Sequence, residues 1–145
     1  MSDRQHALYI VDLFIAIDKI YRYTNRFDNA QELLYSELEW DGAIRELEII
    51  GEATNYLLKA NQIDSKYRRI VDFRNQIIHG YFGIDENIVF DVIRHKLPQY
   101  YDDLLKLSKN KTNDILEAIH HSHNENNGNQ NVLNFLNQLS ESVQQ

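Results

Sequence analysis

The sequence predicts an all-α protein, and two observations carry that prediction. The 145 residues include only one proline and five glycines, so few positions break a helix. Apolar residues recur at steps of three and four along most of the chain, which is the period of a helix that buries one face. With 43% hydrophobic and 26% charged residues, a chain of this length is expected to build its own hydrophobic core.

Capping residues and the same period place the first helices. Helix one is predicted over 3–23, and a turn at 24–27 leads to Asp28, the predicted N-cap of the next helix, with Gln31 completing a capping box. Helical patterning then continues to about Ala60, with a bend near 40–42. The predicted core faces of these helices hold Ala7, Ile10, Phe14, Ile17 and Tyr21, then Leu34, Leu38, Ile44, Leu47, Ile50, Thr54, Leu57 and Leu58.

The next helices surround the segment that we regard as functional. A helix is predicted over Lys66 to His79, and Gly80 is predicted to end it in the left-handed conformation. Asp85 is the predicted N-cap of the following helix, and Pro98 lies in the first turn of another. The predicted inward residues are Ile70, Phe73, Ile77 and Ile78, then Ile88, Val92 and Ile93, then Tyr101, Leu104, Leu105 and Leu107. Residues 1–110 are thus predicted to form an up-and-down bundle of four to five core helices.

Residues 111–145 differ in composition, being rich in asparagine, glutamine, serine and histidine. Thr112 is predicted to cap a short helix, and the run 124–131 is predicted to be flexible. Apolar spacing predicts a last small helix, so the segment is interpreted as a polar, partly flexible helical appendage that docks on the bundle or on a partner. Its apolar positions are Ile115, Leu116, Ile119, Leu133, Phe135, Leu136 and Leu139.

Charge and composition exclude several classes of protein. The net charge of −7 argues against a general nucleic-acid binder, whose affinity comes from a basic surface that releases counterions. The absence of cysteine excludes disulfides and thiolate metal sites and is typical of a reducing compartment. The apolar run 7–17 contains Asp12, is too short to span a membrane and lacks a cleavage site. We therefore expect a soluble, cytoplasmic protein that does not associate with membranes.

The chemistry is concentrated in the eight residues from Arg74 to Tyr81, which include a guanidinium, an amide, an imidazole and a phenol. An imidazole such as His79 moves protons near neutral pH, and the guanidinium fork of Arg74 matches phosphate oxygens. This pairing favours phosphodiester chemistry without a metal. The competing interpretation is an ordinary helix end, with His79 beside the last carbonyl groups and Tyr81 packed on the bundle.

The spacing of the motif bears on how a site is assembled. On an ideal helix, residues five apart are separated by about 140° and about 7.5 Å of rise, so Arg74 and His79 do not lie over one another. A symmetric dimer would bring two copies of each residue into one groove. We therefore predict a site shared between two protomers.

Other clusters of polar residues give weaker evidence of function. Glu48 and Glu52 lie on one helical face, where they either orient Arg74 or a substrate, or form ion pairs at a surface or interface. Glu117 and His120 form one copy of the E-x-x-H spacing, which di-iron bundles use twice. The neighbouring histidines His120, His121 and His123 are interpreted as solvated, and no metal site is predicted.

Three blocks between Trp40 and Leu107 identify a resemblance. They are AIRELEIIGEA at 43–53, the segment from Arg74-Asn75 through His79-Gly80-Tyr81-Phe82-Gly83, and Leu97-Pro98. In this combination the chain resembles HepT-type toxins of the HEPN superfamily, whose signature is RX4HXY. Two departures are that Tyr67 stands where relatives often have tryptophan, in a segment that lacks their prolines, and that the tail after Lys109 has no counterpart.

The resemblance implies a function and a set of site residues. It implies a HEPN-type homodimeric RNase, the toxin of a type VII toxin–antitoxin pair, in which Arg74 and His79 are catalytic and Asn75 is a supporting polar group. It also implies that a cognate MntA-type nucleotidyltransferase neutralises the toxin by transferring AMP from ATP to Tyr81, and no other cofactor is expected. The basic residues before the motif are the predicted RNA contacts: Lys66, Arg68 and Arg69. The competing class is a non-catalytic helical subunit that binds a nucleotide or protein and partners a nucleotidyltransferase.

Overall fold

The computed structural model describes residues 2–80 and 83–145, and all regular secondary structure in these ranges is helical. The all-α prediction is therefore confirmed. A 3₁₀ turn at Ser65–Tyr67 precedes α4, and a π-helical segment at Val92–Lys96 joins α5 to α6. The α-helices are α1 Asp3–Thr24, α2 Ala30–Tyr35, α3 Glu37–Lys59, α4 Arg68–Ile78, α5 Glu86–Asp91, α6 Leu97–Lys109, α7 Thr112–Glu125 and α8 Gln130–Gln144.

Helix α1 is the centre of the bundle, because it contacts α3, α6, α7 and α8. Helix α4 packs on α3, and α2 packs on α5. The largest fully buried side chains come from both halves of the chain: Ile10, Leu13, Phe14, Ile20, Leu33, Ile50, Leu57, Tyr100, Leu104, Ile115, Leu136 and Leu139. One continuous core therefore holds the helices together, chiefly by removing this apolar surface from water.

The C-terminal helices contribute to that same core. Helix α7 packs on α1, and α8 packs on α6 and α7. Ile115 and Leu136 are fully buried in the core cluster, so residues 111–145 dock on the rest of the bundle through apolar contacts. The division of the chain at residue 110 and the flexibility of 124–131 stay predictions.

The predicted helix from Asp28 to Ala60 is two helices. The chain breaks at Ser36, whose φ of −91° and ψ of 82° are not helical, so the bend predicted near 40–42 was wrong. The N-cap is Asn29, whose Oδ1 accepts from the Glu32 N–H at 2.9 Å, while the Glu32 carboxylate accepts from the Asp28 N–H at 2.8 Å. The N-cap thus lies one residue later than predicted, and the Glu32 carboxylate accepts from the N–H of the residue before the cap and not from that of the cap itself.

Four apolar residues assigned to core faces are exposed instead. Leu38 is 81% exposed because the break at Ser36 shifts the phase that a continuous helix would have kept. Ile78 and Ile88 are each 47% exposed, and Tyr21 is 62% exposed. The other residues of the predicted core faces are buried or half-buried. The helical period of the apolar residues thus predicted correctly where the helices lie, but it predicted poorly which residues near the helix ends are buried.

The end of α4 also differs from the prediction. The helix ends at Ile78, and His79 is the C-cap, with φ −102° and ψ 14°. Gly80 does not adopt the left-handed conformation, which Gly83 takes instead with φ +97°. Two glycines three positions apart give the same local signal, so the sequence does not distinguish which one turns the chain. The predicted starts at Asp85 and Pro98 are confirmed.

Glu46 supplies a test of the packing between α1 and α3. Its side chain lies in the core with 7% exposed, and this burial raises its carboxyl pKa, against the opposing influence of Lys19 and Arg45. A raised folded-state pKa stabilises the fold at acidic pH, and that contribution is lost as pH rises through the folded pKa. Glu46→Gln should therefore stabilise the protein at neutral pH, and its advantage should shrink on acidification.

Urea unfolding at neutral and acidic pH measures this difference. Glu141→Gln, at an exposed position of α8, is the matched control and should show no such pH-dependent gain. A stabilisation by Glu46→Gln that grows as pH falls would contradict the predicted direction of the pH dependence.

Candidate functional site

The basic run of Lys66, Arg68 and Arg69 starts just before helix α4 and continues into its first turn, and His79 is the C-cap of that helix. Helix α4 therefore positions the candidate site. One of its sides packs on α3. The other side faces the π-helical segment and the first turn of α6 across an open groove. The predicted functional residues divide between these two sides.

Arg74 lies on the side of α4 that contacts α3, and the aliphatic part of its side chain packs against Gly51. A Cβ added at Gly51 would come 2.3 Å from both Cβ and Cγ of Arg74, far inside van der Waals contact. The Arg74 side chain is only 23% exposed despite its charge. Gly51 thus forms a notch in α3 that only glycine allows, and this explains a residue that costs about 1 kcal/mol in a helix interior.

The guanidinium of Arg74 is held by two neighbours. Nη1 donates to the Oδ1 of Asn75 at 2.9 Å, and Nη2 lies 3.5 Å from Oε1 of Glu52. The Nε atom is buried and has no hydrogen-bond partner among the described residues. Of the two acids predicted to orient Arg74, Glu52 makes the contact and Glu48 does not. The 3.5 Å ion pair is long and its carboxylate is 70% exposed, so the pair leaves Arg74 able to engage a phosphate.

His79 occupies the C-terminal end of α4 and is exposed. Its backbone N–H donates to the carbonyl of Asn75 at 3.0 Å, which fixes the residue at the helix end. Its imidazole forms no hydrogen bond with any residue in 2–80 or 83–145, and none joins it to Arg74. Asn75 therefore contacts both motif residues. Its side-chain oxygen accepts from Arg74, and its backbone carbonyl accepts from the His79 N–H.

Tyr81, the predicted site of AMP transfer, lies outside the described residues, and so does Phe82. The competing interpretation of the motif, with Tyr81 packed on the bundle, is likewise not addressed by the described part of the chain.

The predicted RNA contacts do not form one patch. Arg68 faces α3, where its Nη1 lies 3.5 Å from Oδ1 of Asn55, and this places it on the same side as Arg74. Lys66 and Arg69 line the groove on the other side of α4. The ammonium of Lys66 lies 3.2 Å from Asp103. Residues adjacent in sequence thus serve opposite faces of one helix.

A network that the sequence did not reveal ties the start of α4 to α6 and α3. The hydroxyl of Tyr67 donates to Asp103, and its ring stacks on Tyr100 with centroids 4.2 Å apart. The Tyr100 hydroxyl is hydrogen-bonded to that of Thr54 at 2.9 Å. Burial, followed by the bond to Asp103, raises the pKa of Tyr67, whereas that bond and then Lys66 lower the pKa of Asp103. Asp103 is thus held ionised, and it fixes the positions of Lys66 and Tyr67 just before α4.

Comparison with known proteins places this geometry in a family. A model of the family described as "Ribonuclease HepT-like" matches residues 13–107, well over half of the chain. The chain belongs to the HepT-like ribonuclease family. The "Probable ribonuclease HepT" of Thermococcus cleftensis is 28% identical over 109 residues, covering 73% of this chain and 98% of that protein. A protein named "Putative RNase" from Methanocaldococcus jannaschii is 29% identical over 104 residues, covering 68% of this chain and 93% of its own. No solved structure matches the chain significantly.

The part of this HepT-like chain that matches the family model contains the Gly51 notch, Arg74, His79 and the basic run. Helices α7 and α8 lie beyond it. The resemblance drawn from the motif blocks is therefore confirmed at the level of the family.

Two residues of the remaining clusters form ion pairs at the surface of the HepT-like bundle. Glu117 pairs with Arg4 at 2.7 Å, and His121 pairs with Glu125 at 2.9 Å. Within 2–80 and 83–145, no group of three or more histidine, aspartate or glutamate residues is arranged to hold a metal ion. None of the helices described is long and apolar enough to cross a membrane.

Proposed function

We propose that this protein is a metal-independent RNA endonuclease in which Arg74 and His79 act on the scissile phosphate. The observation that carries the proposal is the geometry of α4 in a HepT-like fold. Arg74 is seated in the Gly51 notch with its guanidinium held by Asn75, while the imidazole of His79 is exposed at the helix end. A fixed cation and an accessible proton carrier are what phosphodiester cleavage needs.

The reaction is an in-line attack by the RNA 2′-hydroxyl on the adjacent phosphorus. One His79 imidazole takes the 2′ proton as the new O–P bond forms, and Arg74 stabilises the charge on the phosphorane. A second imidazole gives a proton to the 5′-oxygen as its bond to phosphorus breaks. The products are a 2′,3′-cyclic phosphate and a 5′-hydroxyl, so no water is consumed in this step.

Two protomers supply the two imidazoles. Residues five apart on an ideal helix are separated by about 140°. Within one protomer, the hydrogen bonds of the Arg74 guanidinium to described residues go to Asn75 and Glu52 and not to His79. A two-fold axis near the C-terminal end of α4 would place two copies of each in one cleft. Homodimerisation is therefore part of the proposal.

Regulation by a partner completes the proposal. The protein is the toxin of a toxin–antitoxin pair, and an MntA-type nucleotidyltransferase inactivates it by transferring AMP from ATP to Tyr81. Because Tyr81 is two positions from His79, attached AMP would bring phosphate charge to the place where the RNA phosphate binds. RNA is held by the basic run of Lys66, Arg68 and Arg69, in a cytoplasmic setting.

Cleavage of RNA by the purified protein in the presence of a metal chelator tests the activity. We expect Arg74→Ala to lose about 10²- to 10³-fold in kcat, which is the typical cost of removing one group that stabilises the transition state. Arg26→Ala is the matched control, because Arg26 also pairs with one glutamate, Glu39 at 3.1 Å, and is remote from α4 in sequence. A wild-type protein that gains AMP from its partner and cleaves no RNA would instead indicate the non-catalytic subunit.

AMP transfer is tested by intact mass after incubation with the cognate nucleotidyltransferase and ATP. Wild type should gain the mass of AMP and lose cleavage, whereas Tyr81→Phe should keep its mass and stay active in the presence of the antitoxin. Tyr35→Phe is the matched control, since Tyr35 is 78% exposed and would report unspecific transfer. The modification site would be wrong if Tyr81→Phe still gained AMP and lost activity.

A further inference from the structure

The open side of α4 faces a groove to which the catalytic step assigns no role. The groove has a volume of about 560 Å³ and lies between α4, the π-helical segment and the first turn of α6. We call it the α4 groove. The lining residues that matter here are Lys66, Arg69, Phe73, Gln76, Lys96 and Gln99.

The charge of the groove is opposite to that of the whole chain. Three cations, Lys66, Arg69 and Lys96, line it together with one carboxylate, Asp72, in a protein whose net charge is −7. Arg69 and Lys96 form no ion pair with any residue in the described part of the chain. Their charges are thus available to a ligand, and an anionic ligand is the one that fits.

The remaining lining suits nucleobases better than a bare anion. The half-buried ring of Phe73 lines the groove, and such a ring stacks a base of any sequence. The amides of Gln76 and Gln99 line it as well and can donate to or accept from base edges. Cations beside aromatic rings are the combination by which proteins bind single strands, whose bases are free to unstack.

The groove leads toward the motif. Phe73, Gln76 and Ile88 also line a neighbouring cavity of about 180 Å³, which the loop residues Gly83 and Asp85 border. That loop follows His79 and Gly80 by only a few positions. A strand lying along the groove would therefore approach the C-terminal end of α4, where the imidazole is exposed.

We propose that the α4 groove binds a single-stranded stretch of the RNA substrate next to the cleaved phosphate. Arg69 and Lys96 contact its backbone, and Lys66, fixed by Asp103, adds a third contact. Arg68 belongs to the other side of α4, with Arg74. This assignment rests on the proposed ribonuclease function and deepens it by adding Lys96 and Gln99 and by setting the substrate's path.

The test is binding of a fluorescein-labelled single-stranded RNA, measured by fluorescence anisotropy at several salt concentrations. His79→Ala serves as the background so that the probe stays intact. Adding Arg69→Glu and Lys96→Glu should weaken binding at least about tenfold and lower the salt slope by about 1.4, since each phosphate contact in a single strand contributes about 0.7. The matched control is Lys59→Glu with Lys109→Glu, two exposed lysines outside the groove that give the same change in net charge.

Each outcome decides the inference. Equal affinities for the groove and control variants overturn it. A groove variant that binds RNA normally but changes oligomeric state in light scattering also overturns it, because the groove would then be an interface between copies. In an active His79 background, a raised KM with unchanged kcat supports the groove. If Arg74→Ala abolishes cleavage and the groove variants cleave and bind RNA like the wild type, the groove proposal alone is overturned. If the wild type neither binds nor cleaves RNA, the proposed function is overturned as well.

Discussion

RNA cleavage by His79→Ala should fall by at least about 10²-fold, because positioned proton transfer contributes about 10²- to 10⁴-fold for each role. In the proposed symmetric dimer this variant would lack both the base and the acid, so the loss should be among the largest from any single substitution. The fold should survive, since His79 is exposed at the end of α4 and its side chain contributes no hydrogen bond to a described residue. The measurement is a single-turnover rate on a labelled RNA, with circular dichroism as the check on folding.

The control for this prediction is His120→Ala, an exposed histidine on α7 outside the segment that matches the family. It should leave the rate within about twofold, as surface substitutions remote from a site usually do. Cleavage by His79→Ala at the wild-type rate, in protein free of contaminating nuclease, would remove the imidazole from the mechanism.

Gly51→Ala should damage both stability and cleavage. The new Cβ would lie 2.3 Å from two carbon atoms of Arg74, so either the stem of Arg74 or the packing of α4 on α3 must move. Overpacking of this kind typically costs about 1–3 kcal/mol, more than the roughly 1 kcal/mol that alanine gains over glycine in a helix. Displacing the guanidinium from Asn75 should also lower kcat. Urea unfolding and the cleavage assay measure the two effects.

Gly42→Ala is the matched control, because it lies in the same helix and gains the same helix propensity. Its Cβ would meet only ring atoms of Tyr23 at 3.2 Å, a contact that a half-buried side chain relieves by a small shift. A Gly51→Ala protein as stable and as active as Gly42→Ala would show that the notch does not position Arg74.

The identity of the motif could be predicted from sequence, but its arrangement could not. Arg74, Asn75 and His79 are recognisable because their chemistry and spacing are local, and the blocks around them match a known family. Their neighbours come from distant parts of the chain. Glu52 and Asn55 of α3 reach α4, and Asp103 of α6 reaches the 3₁₀ turn before it. No spacing rule predicts such contacts, because they depend on how helices pack.

Gly51 shows where a sequence signal existed and was incomplete. A glycine inside a long helical pattern indicates a packing or functional reason, because alanine would be more stable there. The sequence does not say which residue approaches it, and only the packing of α4 on α3 identifies Arg74. Lys96 offered no such signal, since one lysine among many charged residues becomes part of a groove only when the π-helical segment faces α4.

The sequence by itself determined the all-helical class, most of the starts and ends of the helices and the residues of the motif. These depend on backbone capping and on the 3.6-residue period, which act over a few positions. The tertiary structure decided which side of α4 each basic residue serves and which glycine turns the chain after the helix. It also decided that α7 and α8 share the core with α1. These features depend on the burial of apolar surface between helices remote in sequence, and that burial is not encoded in any short stretch.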